Sequence, residues 1–288
     1  MNYDNKRLAA ASKLLGSAHL RKVGRVGRLA SINDSPILRG VGLMGENETI
    51  GEALLALESI LKLNYRIETI YKNQLIRKKV LGKKASKESN ALLEVRINNS
   101  IADVVILGTT VEAYEIKTKF DSPERLSKQL DDYYLAFSRV SVVCDESKID
   151  TYLRHVDDSP TGLIALTKRG ALKTIKQSVP QYDRLHIPTM MTMMRQSEYM
   201  AIIHEEFGPQ PPQPNMVQYG YYLGKAKAIP PQDYAKRMEK LLTRRQPSEL
   251  ERINDRQYKP LISSLFRVNP TADQFGKIQE WLNDRGPK

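Results

Sequence analysis

The residues best equipped for chemistry lie in one stretch, Ile101 to Thr118, which reads IADVVILGTTVEAYEIKT. In an extended strand alternate side chains share a face, so Glu115 and Lys117 fall on one side while Tyr114 and Ile116 fall on the other. Asp103 stands at the start of the preceding β-rich run, and a short turn lets the two runs pair. Two carboxylates and an ammonium then converge at one end of a small sheet. Hard oxygen donors of this kind hold Mg²⁺, which keeps several waters and recruits phosphate to complete its shell. A lysine beside them can orient water and offset charge developing on phosphorus. Hydrolysis of a phosphodiester is the reaction for which this set suffices.

Glu-x-Lys alone is weak, since Glu146-Ser147-Lys148 repeats it. Asp103 followed twelve residues later by Glu115-x-Lys117, both on β-rich runs, is more specific. Burying three ionisable groups in apolar runs costs stability unless they pair or bind metal. A solvated sheet edge with one salt bridge stays open as the alternative. Other motifs carry less. Gly40-Val-Gly-Leu-Met-Gly45 fits GxGxxG but lacks a buried strand before it, so it reads as a loop. His204-Glu205-Glu206 begins like a zincin, yet Gly208 stands where the second histidine belongs. The four histidines are scattered. The single cysteine, Cys144, excludes an intramolecular disulfide and a Cys-rich zinc site. There is no Gly-x-Ser-x-Gly or P-loop.

Several elements must position these residues. Thr49 with Glu52 reads as a capping box opening a helix striped by Leu54, Leu55, Leu57, Ile60 and Leu61. A second helix is predicted over about 66–81. Between Lys62 and Lys87 nine basic residues face the single acid Glu68, which suits a solvated helix face or a surface turned toward phosphates. From Ala91 the period changes to two. ALLEVRI, IADVVILG and TVEAYEIKT form an antiparallel meander with a turn at Asn98-Asn99. Ser122-Pro123-Glu124 starts a helix reaching Phe137, VSVVC is a fourth strand, DTYLRHV a short helix, GLIALT a fifth strand and ALKTIKQ a sixth. The methionines from 190 to 200 read as core filler in a helix. FGPQPPQPN, residues 207–215, is a proline-rich spacer, and helices are predicted near 216–228, 231–245 and 273–284. Residues 1–46 look like a basic extension without a clear core, 47–180 like an α/β domain, and 181–288 like a helical domain.

The stretch from about Ile67 to Gln177 resembles the PD-(D/E)xK nuclease superfamily. It is particularly similar to a bacterial group patterned as YKN, ELR-like, ADVVI, YEIKT, DS-ERL and Q-x-x-x-Y. Here these read Tyr71-Lys72-Asn73, Glu94-Val95-Arg96, Ala102 to Ile106, Tyr114 to Thr118, Asp121 to Leu126 and Gln129 to Tyr133. The resemblance implies a restriction-endonuclease-like α-β-β-β-α-β core, a small mixed sheet flanked by helices, with a further helical carboxy-terminal region. It implies Asp103 and Glu115 as ligands of Mg²⁺ or Mn²⁺, with Glu68 or Glu94 as a further acid, and Lys117 as the group holding the attacking water. Gln129 and Tyr133 would help place substrate, and the notable departure is Ala102 in the position of a proline before Asp103.

Forty-five Lys and Arg oppose thirty-three Asp and Glu, a formal charge of +12, which favours a polyanionic partner. The expected function is a metal-dependent nuclease acting on DNA, with Lys72, Arg77 and Lys78 gripping the phosphate backbone. The alternative is a non-catalytic or partner-dependent nucleic-acid-binding protein of the same fold, in a mobile-element or phage-defence setting. The carboxy-terminal helices allow a protein partner, and the composition permits an oligomer. The amino terminus shows no signal-peptide pattern and no stretch is long enough to span a membrane, so a cytoplasmic location is the default.

Overall fold

The computed structural model describes residues 4–83 and 88–287, so Lys84 and Lys87 of the basic stretch lie outside the described residues. In chain order the elements are α1 (Asn5–Ser12), α2 (Ser17–Val26), α3 (Ser31–Gly40), α4 (Ile50–Asn64) and α5 (Glu68–Lys79). Then come β1 (Asn90–Ile97), β2 (Ser100–Leu107), β3 (Glu112–Lys117), α6 (Leu126–Tyr134), β4 (Val140–Asp145), α7 (Ile149–Val156), β5 (Gly162–Leu166) and β6 (Leu172–Lys176). The remainder is helical: α8 (Ile187–Thr192), α9 (Gln196–Phe207), α10 (Asn215–Ala226), α11 (Pro231–Thr243), α12 (Leu250–Ile253), α13 (Ile262–Val268) and α14 (Ala272–Leu282). No helix among the described residues is long and apolar enough to cross a membrane.

Two compact units form. The first gathers the described residues of Met1–Lys84, Leu166–Leu172 and Gln246–Lys288. It is a helical body. Thr49 and Glu52 close the expected capping box, with Thr49 N–H donating to Glu52 Oε2 at 2.8 Å. The amino-terminal segment differs from its sequence reading: Leu8, Leu14, Leu15, Leu20 and Val23 are fully or almost fully buried. α1, with Leu8, packs on α3 and α4, whereas α2, with Leu20 and Val23, finds its partners on α13 and α14 at the far end of the chain, where no local pattern announces them. Buried Asp34 accepts a hydrogen bond from Trp281 Nε1 at 2.9 Å and lies 3.0 Å from His19 Nε2. Gly51 has Leu282 backbone oxygen 3.1 Å from where a Cβ would stand, so a side chain there would crowd α14.

The second unit comprises the described residues of Ala85–Ala165 and Lys173–Arg245. Its sheet has the order β1-β2-β3-β4-β5-β6. β1 and β2 pair antiparallel, as do β2 and β3, whereas β3 and β4 are parallel. The meander and the fourth strand thus match the sequence pattern. The α6 helix begins at Leu126, four residues past Ser122, and buries Leu126, Leu130, Tyr133 and Tyr134. Asp132 ties it to the β1–β2 turn, accepting from Asn98 Nδ2 and Ser100 Oγ, both at 2.6 Å. The methionines do fill core: Met190 and Met191 are buried in the cluster that holds Tyr133, Val142 and Ile203. The proline-rich spacer separates α9 from α10, as expected.

Candidate functional site

The β2–β3 register pairs Val105 with Ala113 and Val104 with Tyr114, which sets Asp103, one step further, opposite Glu115. The β1–β2 register pairs Leu93 with Val104 and Val95 with Ala102, leaving Glu94 at the position opposite Asp103. Three acids therefore occupy one row across three neighbouring strands. Glu94 breaks the strand conformation there, with φ of 53°. That left-handed backbone costs an L residue about 1–2 kcal/mol and interrupts regular side-chain alternation.

Glu115 and Lys117 are both buried, at 3% and 7% exposure. Lys117 Nζ donates to Glu115 Oε1 at 2.8 Å and to Gln129 Oε1 at 2.9 Å. Gln129 Nε2 donates to the same Glu115 oxygen at 2.6 Å. The three side chains close a ring of contacts in which each holds the other two. On Glu115 Oε2 sits the Tyr133 hydroxyl, at 2.5 Å. That hydroxyl is also 2.7 Å from the Ile101 carbonyl, and with one proton it donates to one acceptor at a time. Burial, then the charge of Glu115, with a smaller contribution from Asp103, raises the Tyr133 phenol far above its ordinary range, so it stays a neutral donor. Asp103 Oδ2 accepts the Ile116 N–H at 2.7 Å, which draws the Asp103 carboxylate toward β3.

The local cause is simple. The strand period brings Glu115 and Lys117 to one face, and the helical spacing i, i+4 brings Gln129 and Tyr133 to one side of α6. Leu126 and Leu130 anchor that side in the core. The sequence reading missed Asp132, Asn98 and Ser100, which fasten α6 to the turn. It also missed Glu112, a second buried carboxylate of β3, which accepts from Ser141 Oγ and Tyr114 Oη at 2.5 Å each. Glu112 lies one residue out of phase with Glu115, and that offset is the signal the sequence offers.

Glu68, Lys72, Arg77 and Lys78 belong to α5 of the first unit. Buried Lys72 pairs with Glu68 one turn away. Lys78 Nζ donates to the Leu172 carbonyl at 2.8 Å, and Arg77 Nη1 lies 3.4 Å from Glu58 Oε1. Among the described residues no three or more His, Cys, Asp or Glu are grouped so as to hold a metal ion. The donor set that suits one is the carboxylate pair Asp103 and Glu115. Its chemistry fits Mg²⁺ or Mn²⁺, since Mg²⁺ is often held by one or two carboxylates with water and phosphate oxygens completing the shell.

Fold and site together define a mixed α/β protein whose sheet buries a Glu–Lys–Gln–Tyr network beside an aspartate. The chain belongs to the family described as bacteriophage P4 protein cII, whose sequence profile matches residues 61–256. That span includes every candidate residue named above. Among solved structures, a protein of unknown function from Silicibacter pomeroyi, SPO1766, matches with 12% identity and a TM-score of 0.31, over 46% of this chain and 80% of that one. So slight a likeness carries no argument about fold or activity. No curated protein matches the chain.

Proposed function

We propose that the chain is a metal-dependent nuclease that hydrolyses phosphodiester bonds, with DNA as its expected substrate. The observation that carries this reading is the buried Glu115–Lys117 pair, clasped by Gln129 and Tyr133 beside Asp103. A buried ion pair is commonly no better for stability than apolar side chains of similar volume, so its presence here is better accounted for by chemistry. The chain order α5, β1, β2, β3, α6, β4, with its antiparallel, antiparallel and parallel pairings, supports a restriction-endonuclease-like core. The family takes its name from a bacteriophage P4 protein, which supports a mobile-element setting.

Asp103 and Glu115 would hold Mg²⁺ or Mn²⁺, which when bound polarises a phosphate and lowers the pKa of a bound water. Lys117, fixed between Glu115 and Gln129, orients the attacking water and offsets charge developing on the phosphoryl oxygens. Gln129 fixes both partners through the two ends of its amide. Tyr133 holds the second oxygen of Glu115 and, staying protonated, brings no additional charge. The test is incubation of supercoiled plasmid with Mg²⁺ or Mn²⁺. Nicking that EDTA, Asp103→Ala and Lys117→Ala each abolish is the expected result; nicking that survives both substitutions would place the activity elsewhere.

A second reading, nucleic-acid binding without catalysis, is favoured by the lack of a three-acid metal group among the described residues. It also gains from the full set of donors already on Glu115. Wild-type protein that binds DNA yet leaves it intact with either metal would establish it.

A further inference from the structure

Within the first unit, positive charge collects around one buried carboxylate. Glu58 on α4 is 2% exposed. Its Oε1 lies 2.9 Å from Lys62 Nζ, one turn further along, and 3.4 Å from Arg77 Nη1 on α5. A 3₁₀ turn, Arg256–Leu261, packs against both helices. Asn73, one turn before Arg77, fixes that turn by donating to the Pro260 carbonyl at 2.9 Å and accepting the Ser263 N–H at 2.8 Å. Lys259 lies on that turn, its carbonyl 3.5 Å from Asn73 Nδ2, with Arg256 three residues before it.

Of the four charged groups that act on Lys259, three are cations, namely Arg77, Lys62 and Arg256, and only Glu58 is an anion. Burial first, then the neighbouring Arg77 and Lys62, pulls the Lys259 ammonium below its ordinary range. Like charges gathered this closely repel, and one carboxylate cannot neutralise four cations. A phosphate supplies the missing charge and the oxygen acceptors that Arg and Lys heads require.

We infer that Lys62, Arg77, Arg256 and Lys259 form a binding site for a backbone phosphate of nucleic acid. This rests on the nucleic-acid part of the proposed function and is independent of cleavage. Arg77 is the member of the set legible in the sequence as a phosphate contact. Lys259 lies beyond the span matched by the family profile and Arg256 is its last residue, so the site reaches past the shared part of the chain.

The experiment is titration of the full chain into fluorescently labelled duplex DNA, without divalent metal, over a series of salt concentrations. Wild type is compared with Arg256→Gln, Lys259→Gln and, as a control for lost surface charge, Lys236→Ala. Arg256 is exposed, so its variant keeps the question answerable should Lys259→Gln fail to fold. The expected result is several-fold weaker binding by each glutamine variant. The slope of log affinity against log salt should also fall by about one for each lost phosphate contact, with Lys236→Ala close to wild type. Unchanged affinity and slope in both glutamine variants would overturn the assignment. It is equally overturned if inorganic phosphate stabilises wild type and not the variants in a thermal shift while DNA binding is unaffected, which marks a free-anion site. Asp103→Ala protein separates the two proposals: loss of cutting with binding intact bears on cleavage alone.

Discussion

Glu115 and Lys117 are partners, yet the network does not treat them equally. Glu115 receives three donors, from Lys117, Gln129 and Tyr133, whereas Lys117 has two acceptors within the network. Replacing Glu115 with alanine leaves a buried ammonium without its carboxylate and takes an acceptor from Gln129 Nε2, at about 3–5 kcal/mol, while the Tyr133 hydroxyl keeps the Ile101 carbonyl. Replacing Lys117 leaves the carboxylate held by Gln129 and Tyr133. Urea unfolding should therefore show a larger loss for Glu115→Ala than for Lys117→Ala, and the reverse order would contradict the geometry. A second carboxyl reports on pH. Burial pushes Glu239 on α11 up to about 7, from an ordinary value of 4.5. The native state then binds the proton more tightly than the unfolded chain, so its contribution is complete below pH 4.5 and is lost as pH rises through 7. Glu239→Gln should remove that loss and stand about 3 kcal/mol above wild type at about pH 8. Equal unfolding midpoints at that pH would refute it. At this scale Asp103, Glu115 and Lys117 are readable because strand alternation and a twelve-residue spacing are local facts. The charge of Arg77 acting on Lys259 is not, since 181 residues of chain lie between them.

Helices and strands are legible where periodicity is strong. The β1–β2–β3 meander, α5, β4 and the short α7 follow from period and turn residues alone. The start of α6 falls later than its capping signal because Ser122-Pro123 opens a turn before the helix proper. The amino-terminal helices are hidden for a different reason: their apolar residues are sparse, and α2 acquires partners on α13 and α14 only once the chain ends meet. One element contact is severe enough to test. A Cβ on Gly162, the first residue of β5, would stand 2.9 Å from the Ser178 backbone nitrogen and closer still to Ser141 Oγ. Gly162→Ala should cost about 1–3 kcal/mol through forced backbone shifts. A variant as stable as wild type in urea would show that the strand junction gives more readily than its geometry implies.

Over the whole molecule, charge and connectivity carry different information. The surplus of +12 is evident from composition and suits a polyanionic partner. The division into units is not evident, because the first unit is assembled from three separated segments. Sequence blocks at the proline-rich spacer and the glycine-rich loop mark local breaks, and they do not report which distant segments share a core. The family match spans β1 to β6 and the α6 network, and the acids opposed on β2 and β3, proposed as metal ligands, lie within it. Calorimetric titration of Mn²⁺ into the purified chain tests that assignment most directly, with Asp103→Asn and Glu115→Gln alongside. Saturable binding to wild type is expected, removed or strongly weakened by each substitution while circular dichroism stays native. Binding of equal strength in all three proteins, or none to wild type, would contradict it.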